Sequence, residues 1–238
     1  MRGLAALRLQ PLRRLVAFGK VLGVAVICIV LTRGFVAQGF LVAGDSMTPA
    51  LQPGDVLLVN KAALGTRLPW IDFTIPGYAS PRRGDILVFR AYEGSRAQRV
   101  AKRLVGMPND TVMMKQGILY VNGDPLDEPY ATRGELGQEA SARMLWQLPY
   151  LREDVDPSTY FPTMENWGPL VVPPDQYFVL GDNRSHSIDS RLLGFVPRVR
   201  IIGRVDWVYF SLDPDCCRGM ALLRAVRWGR IGRPSVAP

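Results

Sequence analysis

Two hydrophobic patterns divide this chain. Residues 15–31 read LVAFGKVLGVAVICIVL, an apolar run of seventeen residues in which Lys20 is the sole charge. At ~1.5 Å per residue such a run spans ~25 Å as a helix, the short end of a bilayer crossing. Beyond residue 33 the pattern changes to short runs with a period of two, rich in β-branched and aromatic residues and bounded by Gly, Pro, Asn and Asp. DVLLVN (55–60), GDILVFR (84–90), QRVAKRLVG (98–106), TVMMK (111–115), ILYVNG (118–123), QYFVLGD (176–182) and IIGRVDWVYF (201–210) are predicted strands. Asn122-Gly123 supplies a tight turn. Between 126 and 170 the alternation fades into a polar, aromatic, proline-rich stretch with a helical patch near 135–147. That is too long for an ordinary loop and predicts an inserted lobe.

The fold class expected is therefore mainly β, a β-sheet domain with an inserted lobe on a single N-terminal transmembrane helix. The expected divisions are a basic cytoplasmic N-terminus (1–14), the anchor (15–32), a β-core in two parts (33–125 and 171–214) separated by the lobe (126–170), and a basic C-terminal segment (215–238).

Charge sharpens the membrane reading. Of a net +8, much lies at the two ends: Arg2, Arg8, Arg13 and Arg14 precede the apolar run, and Arg218, Arg224, Arg227, Arg230 and Arg233 close the chain. After the run only Arg33 is basic before Lys61. The positive-inside rule places the N-terminus in the cytoplasm and the rest outside. A cleavable signal peptide fits poorly, because the candidate sites near Ala37 and Ala43 carry Phe35 and Leu41 at the third position. The segment 35–44 is expected to dip into the lipid surface. The segment 218–233 reads equally as a basic amphipathic piece on a membrane or as a solvated tail helix. No zinc-finger or RNA-binding motif is present, so nucleic acid is not an expected partner. The three cysteines, Cys28, Cys216 and Cys217, form no metal knuckle and no disulfide framework, and no metal or cofactor is implied.

The candidate chemistry centres on Ser46, in LVAGDSMTPALQPGDVLLVNK. A serine needs a base. The single histidine, His186, would permit a Ser–His–Asp triad, but no G-x-S-x-G elbow or S-x-x-K motif is present. Of four lysines, Lys102 has unusual surroundings. Alternation sets it on one strand face with Val100 and Leu104, while Arg103 points away. A buried lysine can lose ~3–5 pKa units and so become a usable base, where at its ordinary pKa about one in 2,500 is neutral at pH 7. The same pattern also suits an edge-strand lysine that blocks aggregation.

Four boxes in order settle the preference. GDSMTPAL, RRGDILVF (82–89), KRLVGMPND (102–110) and GDNRSHSIDSRLLGFVP (181–197) together resemble the type I signal peptidase family. These are membrane-bound serine–lysine proteases that remove signal peptides from exported proteins. The resemblance covers nearly the whole chain and implies a mainly antiparallel β-sheet catalytic domain on the membrane anchor. It implies Ser46 as nucleophile and Lys102 as general base, with Ser187 hydrogen-bonded to the lysine. It further implies supporting pairs Asp189–Arg191 and Asp182–Arg103, Met47 in the substrate pocket, and an oxyanion hole from the Ser46 backbone N–H. Many members place a hydroxyl two residues before the nucleophile; here that position is Gly44, so a substitute donor in the Gly44 region is expected. The implied substrates are preproteins cut after Ala-x-Ala sites, the implied setting is the outer face of a bacterial cytoplasmic membrane in contact with lipid, and a monomer is expected. His186 then becomes a turn residue. The rival readings are a self-cleaving SOS-type repressor, which should carry a helix-turn-helix not seen here, a tethered non-catalytic β-domain, and a specialised peptidase with one substrate.

Overall fold

The computed structural model describes residues 17–25, 37–67, 74–93, 96–134, 137–213, 216 and 225–232. Half of the predicted anchor, residues 15–16 and 26–32, falls outside that set. Residues 17–25 are helical and exposed, and among the described residues no helix is long and apolar enough to cross a membrane.

Alternation produces sheets, as the period-two runs require. Seven strands form the main sheet: β1 (Ala37–Leu41), β2 (Asp55–Asn60), β5 (Ile86–Glu93), β6 (Arg96–Gly106), β11 (Gln176–Leu180), β12 (Val196–Pro197) and β13 (Ile201–Ser211). Their order is β1-β2-β13-β5-β6-β11-β12, and every ladder is antiparallel. A second sheet, ordered β10-β7-β8-β9, joins β7 (Thr111–Lys115), β8 (Ile118–Val121) and β9 (Asp124–Pro125) to β10 (Trp167–Val171). A small pair, β3 (Gly65–Arg67) and β4 (Thr74–Pro76), lies between β2 and β5 in sequence. The predicted Asn122-Gly123 turn joins β8 to β9, with both residues at positive φ (54° and 94°), as a primed hairpin turn demands.

The stretch from 126 to 166 carries 3₁₀ turns at Ala142–Tyr150 and Pro157–Thr159, where the sequence predicted a helical patch at 135–147. Pro149, next to the last residue of the first, lacks the backbone N–H with which an α-helix would continue there.

Three apolar clusters hold the layers. Met47, Leu51, Leu57, Val59, Ile86, Val88, Val205 and Val208 pack under the segment that carries Ser46. Leu87, Phe89, Leu104, Tyr177 and Val179 form the second cluster. The third joins the two sheets: Val105, Val112, Leu119, Met144, Leu170 and Phe195 surround Phe178, which stacks on Trp167 at 5.0 Å between centroids. Truncating a buried Leu or Phe in such a core costs about 2–5 kcal/mol.

The basic segment after 215 is neither a surface helix nor a solvated one where it is described. Val226 bridges to Leu212, Ala225 and Val226 are buried, and Trp228–Arg230 is a 3₁₀ turn. Arg227 and Arg230 both reach the buried Asp55 carboxylate, and Arg230 also donates to the Ala50 carbonyl. Two arginines near a fully buried carboxylate explain the docking: Asp55 needs compensation, and the basic segment supplies it. Burial raises the Asp55 pKa, but the bonds from Arg230, the Gln52 amide and Ser211 outweigh it and hold the carboxyl below its usual range.

Candidate active site

The Ser46 segment is a turn between β1 and β2, closed by Thr48 N–H to the Asp45 carbonyl and Leu51 N–H to the Met47 carbonyl. Lys102 comes from the middle of β6, paired with Leu87 of β5. The expected face is observed. Lys102 lies on the side of β6 that packs Val100 and Leu104, only 3% exposed.

Its Nζ lies 2.6 Å from Ser46 Oγ and 3.0 Å from Ser187 Oγ. Burial brings the Lys102 pKa down to about 8; Asp189, Asp182 and Asp45 pull it up and Arg191 pushes it further down. The competition favours loss of the proton because, among the described residues, no carboxylate bonds to Nζ, whereas the full desolvation cost falls on the ammonium.

Arg103 is also buried, at 0% exposure, which alternation alone does not reveal. It points from the opposite face, but that face is covered. Its Nε and Nη2 each donate to Asp182 at 2.7 Å, and its guanidinium sits 3.9 Å from the centre of the Tyr130 ring. Asp189 caps the short helix α1 (Ser190–Leu193) and accepts Nε and Nη2 of Arg191 at 2.9 and 2.8 Å. Burial pushes Asp189 up, yet Arg191 and the Gly181 N–H hold it below the ordinary carboxylate range. Both predicted pairs are therefore brought together, directly beneath the Ser46–Lys102–Ser187 group.

Gly181 forms the floor. A Cβ there would lie 2.2 Å from Ser187 Oγ and 2.6 Å from the Ser46 carbonyl oxygen, so only glycine fits. The Ser46 carbonyl accepts from Asn183 N–H at 3.1 Å, while the Ser46 N–H has no hydrogen-bond partner among the described residues. Gly44 is exposed with open space around its α-carbon. Met47 does not face out of the site: it is 2% exposed, in the cluster under the turn. His186 is exposed and pairs through Nδ1 with Ser185 Oγ at 3.0 Å. A cleft of about 530 Å³ lined by Leu64, Pro174, Arg198 and Val199 lies elsewhere and includes neither Ser46 nor Lys102.

Sequence reasoning missed Glu128, Tyr130 and Arg184. All three are buried next to the site, and Glu128 and Arg184 pair through two hydrogen bonds. The signal was available only as composition: a glutamate and an arginine within otherwise turn-like runs.

Comparison with known proteins decides the family. The model described as "Signal peptidase, peptidase S26" matches residues 15–210. The chain belongs to the signal peptidase family, peptidase S26. It is 35% identical over 223 residues to Signal peptidase I of Pseudomonas aeruginosa, covering 87% of this chain and 76% of that one. It is 34% identical to Signal peptidase I T of Bacillus subtilis over 82% of this chain and 86% of the relative. With Signal peptidase I of Bacillus caldolyticus the identity is 37%, over 77% and 86% of the two chains. The family is one of peptidases, so the chain is a hydrolase that acts in signal-peptide removal. The self-cleaving repressor reading finds no place beside these matches.

Proposed function

We propose that this peptidase cuts preproteins after a small residue of an Ala-x-Ala site, by a serine–lysine dyad acting through an acyl-enzyme. The observation that carries this reading is the 2.6 Å approach of Lys102 Nζ to Ser46 Oγ in a setting that lowers the lysine pKa to about 8. Neutral Lys102 takes the Ser46 proton as Oγ attacks the scissile carbonyl carbon. Ser187, 3.0 Å from Nζ, holds the amine toward Oγ. The unpaired Ser46 N–H faces the developing oxyanion, where an aligned donor is worth about 3–4 kcal/mol. The lysine then hands its proton to the leaving amine, and on the second half-reaction it activates the water that releases the acyl group. Met47, packed beneath the turn, backs the subsite for the small side chain.

The two arginine–aspartate pairs below the dyad hold its floor. Asp182–Arg103 and Asp189–Arg191 are supporting residues in this reading, and none of them touches the substrate. The apolar run 15–31 anchors the chain in the bacterial cytoplasmic membrane with its N-terminus inside, which sets a site only about fifteen residues further on next to the lipid surface. The protein works as a monomer.

The test is cleavage of an Ala-x-Ala preprotein by the detergent-solubilised chain, beside Ser46→Ala and Lys102→Met, with the product ends read by mass spectrometry. Cutting after the final alanine by the unmodified chain alone is expected. Cleavage that survives Lys102→Met would refute the dyad, and a folded chain that cuts nothing would favour a tethered binding domain.

A further inference from the structure

Gly181 is gripped from both sides of its peptide units. Its N–H donates to Asp189 Oδ2 at 3.0 Å, and its carbonyl accepts from Arg184 Nε at 3.0 Å. The first grip comes from the pair already described. The second comes from an arginine whose charge must itself be compensated, since Arg184 is only 1% exposed.

Glu128 compensates it. Arg184 Nη1 donates to Oε2 at 2.9 Å, and Nη2 donates to Oε1 more closely still. Arg133 Nη2 adds a bond to Oε2 and the Tyr130 hydroxyl one to Oε1, each at 3.2 Å. A doubly bonded arginine–carboxylate fork fixes the guanidinium plane, and here that plane aims Nε at Gly181. The chain around Glu128 then crosses the site as a strap. Thr132 N–H donates to the Asp182 carbonyl, Arg184 N–H donates to the Thr132 carbonyl, and Thr132 Oγ1 lies 3.3 Å from the carbonyl of Thr48, two residues past the nucleophile.

We infer that Glu128 is a positioning residue for the reaction: it orients Arg184, which fixes the Gly181 peptide on which the Ser187 hydroxyl and the Ser46 carbonyl rest. The inference builds on the serine–lysine reading above. Loss of the fork frees the Gly181 carbonyl, lets Ser187 drift from Nζ and opens a path for water to the amine. Sub-ångström drift in a dyad separated by 2.6 Å reads as rate rather than as substrate affinity.

The experiment uses the full chain in detergent. Glu128→Met/Arg184→Met removes both charges together, since replacing a whole buried pair by apolar residues is tolerated far better than removing one member. Glu128→Asp keeps the charge on a shorter arm. Ser46→Ala is the control, and folding is followed by circular dichroism and thermal melting. The double variant should stay folded, lose about 10–100-fold in kcat with KM within twofold of the unmodified chain, and move the rising limb of its kcat–pH profile to higher pH as water reaches Lys102. Glu128→Asp should fall between. A folded double variant with unchanged kcat and an unmoved limb overturns the inference, as does a loss of rate that only tracks the unfolded fraction. If Ser46→Ala cuts as well as the unmodified chain, the dyad reading falls and takes this one with it. If Ser46→Ala is dead while the folded double variant is fully active, only the role of Glu128 falls.

Discussion

Four cations are buried around the site, and they fall into two kinds. Arg103, Arg184 and Arg191 lie beneath the nucleophile turn, each bonded twice to a carboxylate: Asp182, Glu128 and Asp189. Lys102, one residue from Arg103, is nearly as buried, but its hydrogen bonds go to two hydroxyls. An arginine cannot shed its proton inside a protein, so its burial requires a counter-charge. A lysine can, so burial beside neutral partners lowers its pKa instead. The upper level is built to release a proton and the lower level to keep its charges fixed.

Replacing the one kind of cation by the other should break this contrast most severely. Lys102→Arg preserves the positive charge but leaves no neutral form at working pH. Cleavage by this variant is expected to fall by about 10²–10⁴, the range of a lost general base, in a single-turnover assay that also shows no recovery at high pH. Recovery at high pH would remove Lys102 from the role of base.

The lower level should fail in stability. Arg103→Met strands Asp182 as a buried, uncompensated carboxylate, and the loss expected is about 3–5 kcal/mol. Arg103→Met/Asp182→Leu should regain most of it, measured by denaturant unfolding. A single variant as stable as the double one would mean that the lower level is not a set of obligatory pairs.

The smallest effect runs the other way. The folded-state pKa of Lys102, about 8, lies below its ordinary 10.5. The unfolded chain therefore binds more protons between those values, so this group makes stability rise with pH across the window. Below pH 8 Lys102 keeps its proton in the folded chain, and the cost of burying that ammonium is present in full. Lys102→Met removes it, so the inactive variant should be more stable at pH 7 by on the order of 1–3 kcal/mol, with the gain shrinking as pH rises toward 10.5. A variant less stable than its parent at pH 7 would show that the hydroxyl contacts outweigh the desolvation of the amine.

The two levels also differ in how far they can be read from sequence. The strands that frame the site announce themselves: DVLLVN, QRVAKRLVG and QYFVLGD are short runs rich in β-branched, aromatic and other apolar residues, and become β2, β6 and β11. Lys102 stands out because alternation puts a charge on an apolar face, and Ser46 because the four boxes place it. The strand β1 is hidden, since AQGFL is short and its pairing to β2 is made through backbone groups that any side chains allow. β10 is hidden by Gly168 and Pro169, which weaken its strand signal. Glu128 and Arg184 are fifty-six residues apart, and nothing local to either predicts that they meet. Arg103 shows the limit of alternation itself. A period of two gives the face on which a side chain lies, but whether that face meets water depends on what the rest of the chain lays over it.

The grip of Arg230 on Asp55 has a consequence for the order of assembly. The two residues are 175 positions apart, whereas Ser46 and Lys102 are separated by 56 and Lys102 and Ser187 by 85. Closing longer loops costs more chain entropy, and contacts between remote segments form late. The nucleophile, the base and all the strands of the main sheet precede residues 225–232 in the chain. Until those residues arrive, Asp55 lacks both arginines and the Ala50 carbonyl lacks its donor from Arg230. Docking of these residues is thus expected late in folding, and with it the last of the support beneath the turn that holds Ser46.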